Sequence, residues 1–183
     1  MSEELIVRYC SPTLAGMKTG NMFNCTYSDI TEMRDSIRRW NKLLVKKGLR
    51  ILPLRFQNNR ALIYIYRPSR LSRDLRHETA SRLLLELGYG METPERCVVQ
   101  LKKRLGECEE FPHEIGLFLG YPPEDVCGFI ENKAGECKCV GCWKVYGDAE
   151  AARKIFAKYK KCTDVYCTQL AHGRAIERLT VNI

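Results

Sequence analysis

The sequence lacks an apolar run long enough to cross a bilayer, and it lacks a basic-then-apolar leader at its amino end. It also has no internal repeat and no low-complexity linker. We therefore expect a cytosolic protein with no membrane partner. At 183 residues, the simplest organisation is a single domain over residues 1–183 that buries a core of its own.

The order of predicted strands favours an α+β fold. A short strand is expected at Leu5–Tyr9, close to the amino end. Two apolar runs, Leu49–Phe56 and Ala61–Tyr66, flank the turn pair Asn58-Asn59 and predict a hairpin. A late strand is expected at Lys144–Tyr146. These elements predict a small, mostly antiparallel sheet (N-terminal strand, central hairpin, late strand) packed by several helices.

The helices follow from apolar periodicity and from capping residues. A long helix is predicted after Ser28 or Asp29 and ends at Gly48. Further helices are expected over Leu71–Leu87, from Pro94 after its cap Thr93, and from Asp148 onward. The stretch Phe111–Ile130 predicts two short helices that meet at a corner, because Gly120 stops the first and Pro122-Pro123 open the second.

Ten cysteines are many for a cytosolic chain, where thiols stay reduced. A strand from Cys142 would rise about 15 Å, at about 3.3 Å per residue. The following helix would return about 21 Å, at about 1.5 Å per residue. Four thiols can then converge, and four thiolates fit tetrahedral zinc or an iron–sulfur cluster. The predicted metal ligands are Cys139, Cys142, Cys162 and Cys167. Separate free thiols and redox pairing are the alternatives.

A cysteine and a histidine also occur in the order of a papain-type nucleophile and base. Cys10 is the candidate nucleophile, His113 the candidate base, and Glu114 the group that orients the base. The alternative is a buried thiol at Cys10 and a capping or surface histidine at His113. The other two histidines, His77 and His172, lie in polar stretches that are typical of the surface.

The net charge of +8 is unevenly distributed. Residues 30–105 carry 18 basic and 7 acidic side chains, whereas residues 106–136 carry 1 and 8. A basic face can serve nucleic acid, an anionic ligand or an acidic partner, and the solvated sides of amphipathic helices give the same pattern. The uneven charge distribution also suggests the hypothesis of a homodimer, in which the acidic segment of one copy docks on the basic face of another.

An anion site is predicted from basic residues near two element ends. Arg67, Arg70 and Arg73 recur at three-residue spacing before and within a predicted helix, and Lys18 lies in a glycine-containing loop. No aromatic residues are interleaved with the arginines, so a nucleic-acid track is not favoured.

Four segments resemble the bacterial domain-of-unknown-function family 3793, which is known mainly from anaerobes. They are Phe111–Ile130, Cys10-Ser-Pro-Thr-Leu-Ala-Gly16, Tyr66-Arg67-Pro68-Ser69 and Trp143-Lys-Val-Tyr-Gly147. The resemblance covers nearly the whole chain and implies no assigned activity. It implies an anaerobic setting and a redox partner such as flavodoxin.

Three functions follow as hypotheses, and whether the protein is an enzyme stays open. The first, resting on the cysteine group, is a cytosolic thiol- or metal-dependent accessory protein in anaerobic redox or metal metabolism. The second is a binding module for an anionic ligand or nucleic acid, through the arginine-rich face. The third is a Cys-His hydrolase or transferase that uses Cys10 and His113.

Overall fold

The structure, a computed structural model, describes residues 1–107 and 111–182. Contacts between Cα atoms group the chain into unit 1 (residues 1–69 and 161–183) and unit 2 (residues 70–160). The expectation of one domain stays a prediction. In chain order the elements are α1 (Glu3–Leu14), β1 (Gly20–Thr26), α2 (Ile30–Leu44), a 3-10 turn (Val45–Lys47), β2 (Arg50–Gln57), β3 (Arg60–Tyr66), α3 (Pro68–Leu75), α4 (Glu78–Glu86), α5 (Pro94–Glu107), α6 (Ile115–Phe118), α7 (Pro123–Glu131), β4 (Cys139–Val140), β5 (Lys144–Val145), α8 (Ala149–Ala171) and α9 (Ile176–Leu179).

Unit 1 is built on an antiparallel sheet of three strands in the order β1-β3-β2. The predicted hairpin is confirmed. Asn58 and Asn59 form its turn with φ angles of 50° and 54°, the left-handed conformation that asparagine tolerates and that two-residue hairpin turns require. The predicted class, a small antiparallel sheet packed by helices, is also confirmed.

The amino-terminal strand predicted at Leu5–Tyr9 is wrong, because this stretch lies inside helix α1. Ser2 caps the helix through its side chain, and two glutamates occupy the first turn, where the positive end of the helix dipole favours them. Ile6, Cys10 and Leu14 recur every four residues and are fully buried on one face. The first strand is β1 instead.

The core of unit 1 lies between one face of the sheet and helices α1 and α2. Strand residues that alternate along the chain, such as Ile63 and Ile65, point into it. Met33 and Ile37 of α2 pack against the same core, as do Ile176 and Leu179 of α9. Of the two predicted caps, Ser28 and Asp29, the cap is Asp29, whose carboxylate accepts a hydrogen bond from the Thr31 N–H at 2.7 Å.

Unit 2 contains short helices and a two-stranded hairpin. The predicted corner is confirmed: Gly120 has φ 74°, α6 ends before it, and α7 begins at Pro123. The helix predicted over Leu71–Leu87 is broken into α3 and α4, with turn residues between them. The late strand β5 pairs with β4 rather than with the three-stranded sheet.

No helix within residues 1–107 and 111–182 has both the length and the apolar content that a membrane crossing requires.

Candidate functional site

Arg67, predicted to bind an anion, is fully buried and bonded to backbone carbonyls of unit 1. Its Nε donates to Thr13 O at 2.8 Å, and its Nη2 donates to Leu14 O at 2.7 Å and to Val181 O at 2.9 Å. Its Nη1 donates to Lys47 O at 3.0 Å. Thr13 and Leu14 end α1, where carbonyls lack helical partners. Arg67 therefore caps the carboxyl end of α1, although it lies more than 50 residues later in the chain.

The other three predicted anion-binding residues have different environments. Lys18 lies in unit 1 and is only 5% exposed. Arg70, in unit 2, is half-buried. Arg73, also in unit 2, is exposed and pairs with Asp74 at 3.0 Å. Because the guanidinium of Arg67 donates to backbone carbonyls, it is not placed to bind an anion. Anion binding by Lys18, Arg70 and Arg73 stays a prediction.

Cys10, the predicted nucleophile, is completely buried in the core face of α1. Burial raises the pKa of its thiol far above the ordinary value, and the charge of Lys18 offsets this only in part. A thiolate at Cys10 is therefore unfavourable at neutral pH. Cys10 belongs to unit 1 and His113 to unit 2. The catalytic pair stays a prediction, and the local environment of Cys10 is that of a packing residue.

Glu114, predicted to orient His113, is buried and has other partners. Its Oε1 accepts a hydrogen bond from the Tyr89 hydroxyl at 2.8 Å and pairs with Arg104 Nε at 2.7 Å. Burial, followed by the Glu114 charge, raises the pKa of Tyr89 well above its usual range. Glu114 thus fixes the start of the signature segment (residues 111–130) to α5 and to the turn before it.

The four predicted metal ligands are divided between two parts of the chain. Cys139 and Cys142 lie in the β4-β5 hairpin of unit 2, whereas Cys162 and Cys167 lie on the part of α8 that belongs to unit 1. Burial raises the pKa of Cys162 to about 11. Among the residues that the structure describes, no three His, Cys, Asp or Glu side chains are grouped so as to hold a metal ion. The four-cysteine site stays a prediction.

A junction within unit 2 joins two of the family-like segments through Asp125 of α7. The Oδ2 atom of this buried carboxylate accepts a hydrogen bond from Trp143 Nε1 at 2.6 Å. Its Oδ1 atom accepts from the backbone N–H groups of Tyr146 and Gly147, each at 2.7 Å. One carboxylate therefore fixes both the indole of Trp143 and the backbone after β5 against the signature segment.

An aromatic cleft opens beside this junction, with a cavity volume of about 190 Å³. Trp143 is 8% exposed and lies deep, stacked on Tyr121 with ring centroids 4.9 Å apart. Phe111 is 49% exposed, at the rim. The ring of His113 lies 4.9 Å from that of Phe129. The described residues that line the cleft are Phe111, His113, Ile115, Gly116, Tyr121, Asp125, Val126, Phe129, Trp143 and Lys144.

Close packing around the cleft requires glycine at two positions. A Cβ atom on Gly116 would lie 2.8 Å from Val126 Cγ2 and 3.1 Å from Tyr121 Cδ2. A Cβ atom on Gly128 would lie 2.6 Å from both Cβ and Cγ of Tyr146. The separations of 2.6 and 2.8 Å are too short for real contacts, so the two glycines let α6 approach Val126 and let α7 approach Tyr146.

The sequence contains one signal for this cleft, the resemblance of its two parts to the same family. The signature segment and the segment Trp143–Gly147 both carry that resemblance, but nothing in their spacing indicates that Asp125 joins them. The hairpin that carries Trp143 has strands of only two residues, too short to produce an alternating pattern. His113 was predicted to have a catalytic role, whereas its contacts place it among the aromatic residues of the cleft.

Comparison with known proteins identifies a family for this chain. The model of a family described as "Protein of unknown function (DUF3793)" matches residues 6–180. No curated protein and no solved structure matches the chain.

Proposed function

The chain belongs to the DUF3793 family of proteins of unknown function, and we propose that it is a binding module whose aromatic cleft takes a small planar ligand. The observation that carries the proposal is the grouping of Phe111, His113, Phe129 and Trp143 around one cavity. Binding pockets are typically concave, mainly apolar, and supplied with a few polar groups that orient the ligand. The cleft has this composition.

Of the three hypotheses from the sequence, the binding module therefore has the most support, with its site at the cleft. A binding module was the second of them, with its site at the arginine-rich face. The burial of Arg67 argues against that face, while the cleft offers aromatic surface that a planar ring can cover. The Cys-His hypothesis loses support because Cys10 lies in the core and its pKa is raised.

The size of the cleft limits its ligand. A cavity of about 190 Å³ is smaller than the ~300–1,000 Å³ of pockets for drug-sized molecules. A single ring, or a fused pair of rings, is the largest planar group that we expect it to enclose. A ligand of about ten non-hydrogen atoms binds with a Kd on the order of millimolar, at roughly 0.3–0.5 kcal/mol per atom.

The cleft can be tested by fluorescence. The chain has two tryptophans, so a Trp40→Phe background leaves Trp143 as the single reporter. We expect benzamide to change the emission of Trp143 in a saturable way, and its saturated counterpart cyclohexanecarboxamide to bind more weakly. Phe111→Ala should weaken benzamide binding several-fold, because it removes a rim ring that is already half-exposed and so costs little stability.

Tyr9→Ala is the matched control for this test. Tyr9 is 43% exposed, comparable to Phe111, but it lies in unit 1 and outside the cleft. It should leave benzamide binding unchanged. If no aromatic fragment, neutral or charged, perturbs Trp143, the proposed function is wrong.

A thiol-dependent accessory role is the second candidate, and the exposure of Cys142 is the observation that favours it. Cys142 lies at the turn of the β4-β5 hairpin, whereas Cys10, Cys25 and Cys97 are buried. Reaction with iodoacetamide at pH 8 should label Cys142 first and Cys10 last. Elemental analysis after anaerobic purification tests the metal form of this role. Metal-free, folded protein with an unreactive Cys142 would exclude both forms.

A further inference from the structure

Lys144 gives the aromatic cleft a positive charge whose hydrogen-bonding capacity is only partly used. Its Nζ donates to Ala134 O at 2.5 Å and lies 6.0 Å from the ring centroid of Phe129. An ammonium group has three donors, so two remain after this bond. No described carboxylate lies within ion-pair distance of Lys144. The side chain is half-buried, which reduces the water available to its head group.

Asp125 is the acidic residue among the described lining, and its oxygens are already occupied. They accept the hydrogen bonds from Trp143 Nε1 and from the backbone of Tyr146 and Gly147. These three donors compensate much of the carboxylate charge locally. The other polar side chains of the described lining are Lys144, the imidazole of His113 and the hydroxyl of Tyr121, and Lys144 is the one that carries a fixed positive charge.

We propose, on the basis of the proposed function, that the ligand of the cleft is a small aromatic carboxylic acid. Its ring covers the aromatic surface near Trp143 and Phe129, and its carboxylate accepts hydrogen bonds from the Nζ of Lys144. A charge-assisted hydrogen bond of this kind is about twice as strong as a neutral one.

The two other charge classes fit the cleft less well. A cationic ligand would normally be attracted to the aromatic faces, but Lys144 already places a cation near the face of Phe129 and would repel a second one. A neutral ligand offers the ammonium group at most an uncharged acceptor, and a hydrogen bond to such an acceptor is weaker than one to a carboxylate.

The test compares three ligands of similar size: benzoate, benzamide and cyclohexanecarboxylate. Binding to the full chain is followed by Trp143 fluorescence in the Trp40→Phe background. We expect benzoate to bind at least about tenfold more tightly than benzamide, the factor that one hydrogen bond to a charged group supplies. Cyclohexanecarboxylate should bind more weakly than benzoate, because it lacks the planar ring.

Lys144, in β5, provides the test variant, and Lys138, directly before β4, provides the control. Lys144→Met should abolish the preference, so that benzoate and benzamide bind with about equal affinity. Lys138 also donates its Nζ to a backbone carbonyl, that of Gly147 at 2.8 Å, but it does not line the cleft. Lys138→Met should therefore keep the preference for benzoate. Lys144→Gln, with near-UV circular dichroism as a check of folding, provides a second uncharged variant.

The outcomes distinguish failure of the aromatic-acid proposal from failure of the proposed function. If benzamide binds as tightly as benzoate, or if Lys144→Met and Lys144→Gln keep the preference, the ligand is not an acid held by Lys144, although the cleft remains a site for aromatic rings. If cyclohexanecarboxylate equals benzoate, the ring is not recognised and the aromatic acid is excluded. If neither benzoate nor benzamide binds, the proposed function itself fails.

Discussion

Each unit contains a buried charged side chain that joins two family-like segments, but the two side chains do different work. In unit 1, Arg67, which lies in the family-like segment Tyr66–Ser69, donates hydrogen bonds to backbone carbonyls at the end of α1 and to that of Val181. In unit 2, Asp125 joins the signature segment to the hairpin through Trp143 and two backbone N–H groups. Arg67 is surrounded by backbone, whereas Asp125 holds an aromatic ring beside an open cleft. Of the two residues, Asp125 is therefore the one that bears on the proposed ligand site.

The two units also differ in net charge. Unit 1 has 15 basic and 7 acidic residues, whereas unit 2 has 15 of each. The whole net charge of +8 therefore belongs to unit 1, and the unit that contains the cleft is neutral. A unit with no net charge supplies no long-range attraction for an anionic ligand, so such a ligand would depend on a local contact such as that of Lys144.

The largest effect in this comparison is expected from Arg67→Met, which keeps the aliphatic stem and removes the guanidinium. Four backbone carbonyls would each lose a hydrogen bond from the charged guanidinium, worth about 1.5–3 kcal/mol, although Thr13 O and Leu14 O keep the N–H donors of Gly16 and Val181. Allowing for relaxation, we expect the free energy of unfolding to fall by about 3–5 kcal/mol. Urea denaturation followed by circular dichroism measures it.

Arg60→Met is the control for Arg67. Arg60 begins β3 at the exposed end of the hairpin, and the same substitution there should change the free energy of unfolding by less than about 0.5 kcal/mol. Equal losses for the two variants would show that the carbonyl network around Arg67 contributes nothing specific.

The next effect is expected from Asp125→Asn. The substitution preserves the shape but replaces one acceptor oxygen with an NH₂ group, which faces either the Trp143 indole N–H or the backbone N–H groups. We expect a loss of about 2–3 kcal/mol in the free energy of unfolding, together with a shift of Trp143 emission in the Trp40→Phe background. Glu131→Gln, at the exposed end of α7, should change neither quantity. An Asp125→Asn variant with both its stability and its Trp143 emission unchanged would contradict the role assigned to this carboxylate.

These two residues show what the sequence could and could not predict. Local patterns identified the Asn58-Asn59 hairpin, the Asp29 cap and the Gly120 corner, because turn and cap chemistry depends on neighbouring residues. Leu5–Tyr9 was misassigned because a short apolar run fits a strand or a helix equally well. The partners of Arg67 lie 20 to 114 residues away, and those of Asp125 lie 18 to 22 residues away. Such pairings follow from tertiary packing and leave no periodic signal in the sequence.

A smaller effect is expected from Gly128→Ala. The new methyl group would lie 2.6 Å from the Tyr146 side chain, so α7 and the hairpin must separate slightly. Overpacking of this kind costs about 1–3 kcal/mol. Gly106→Ala is the control: it lies in α5, nothing is within 4 Å of the position that the methyl group would take, and alanine there should stabilise the helix by about 0.5–1 kcal/mol. Destabilisation by both substitutions would mean that helix geometry, rather than contact with Tyr146, dominates.

The smallest effect is expected from Arg73→Ala, six residues after Arg67. Arg73 is 67% exposed and its pair with Asp74 is screened by water, so the free energy of unfolding should change by less than about 0.5 kcal/mol. Arg38→Ala is matched to it, because Arg38 is 73% exposed and pairs with Asp35 at 2.8 Å. On a polyanion column, both variants should elute earlier by the same salt increment, as the loss of one exposed charge requires. A larger shift for Arg73→Ala would indicate that Arg73 takes part in an anion site at α3. The protein would then have a second functional face besides the cleft, even though Arg67 is buried.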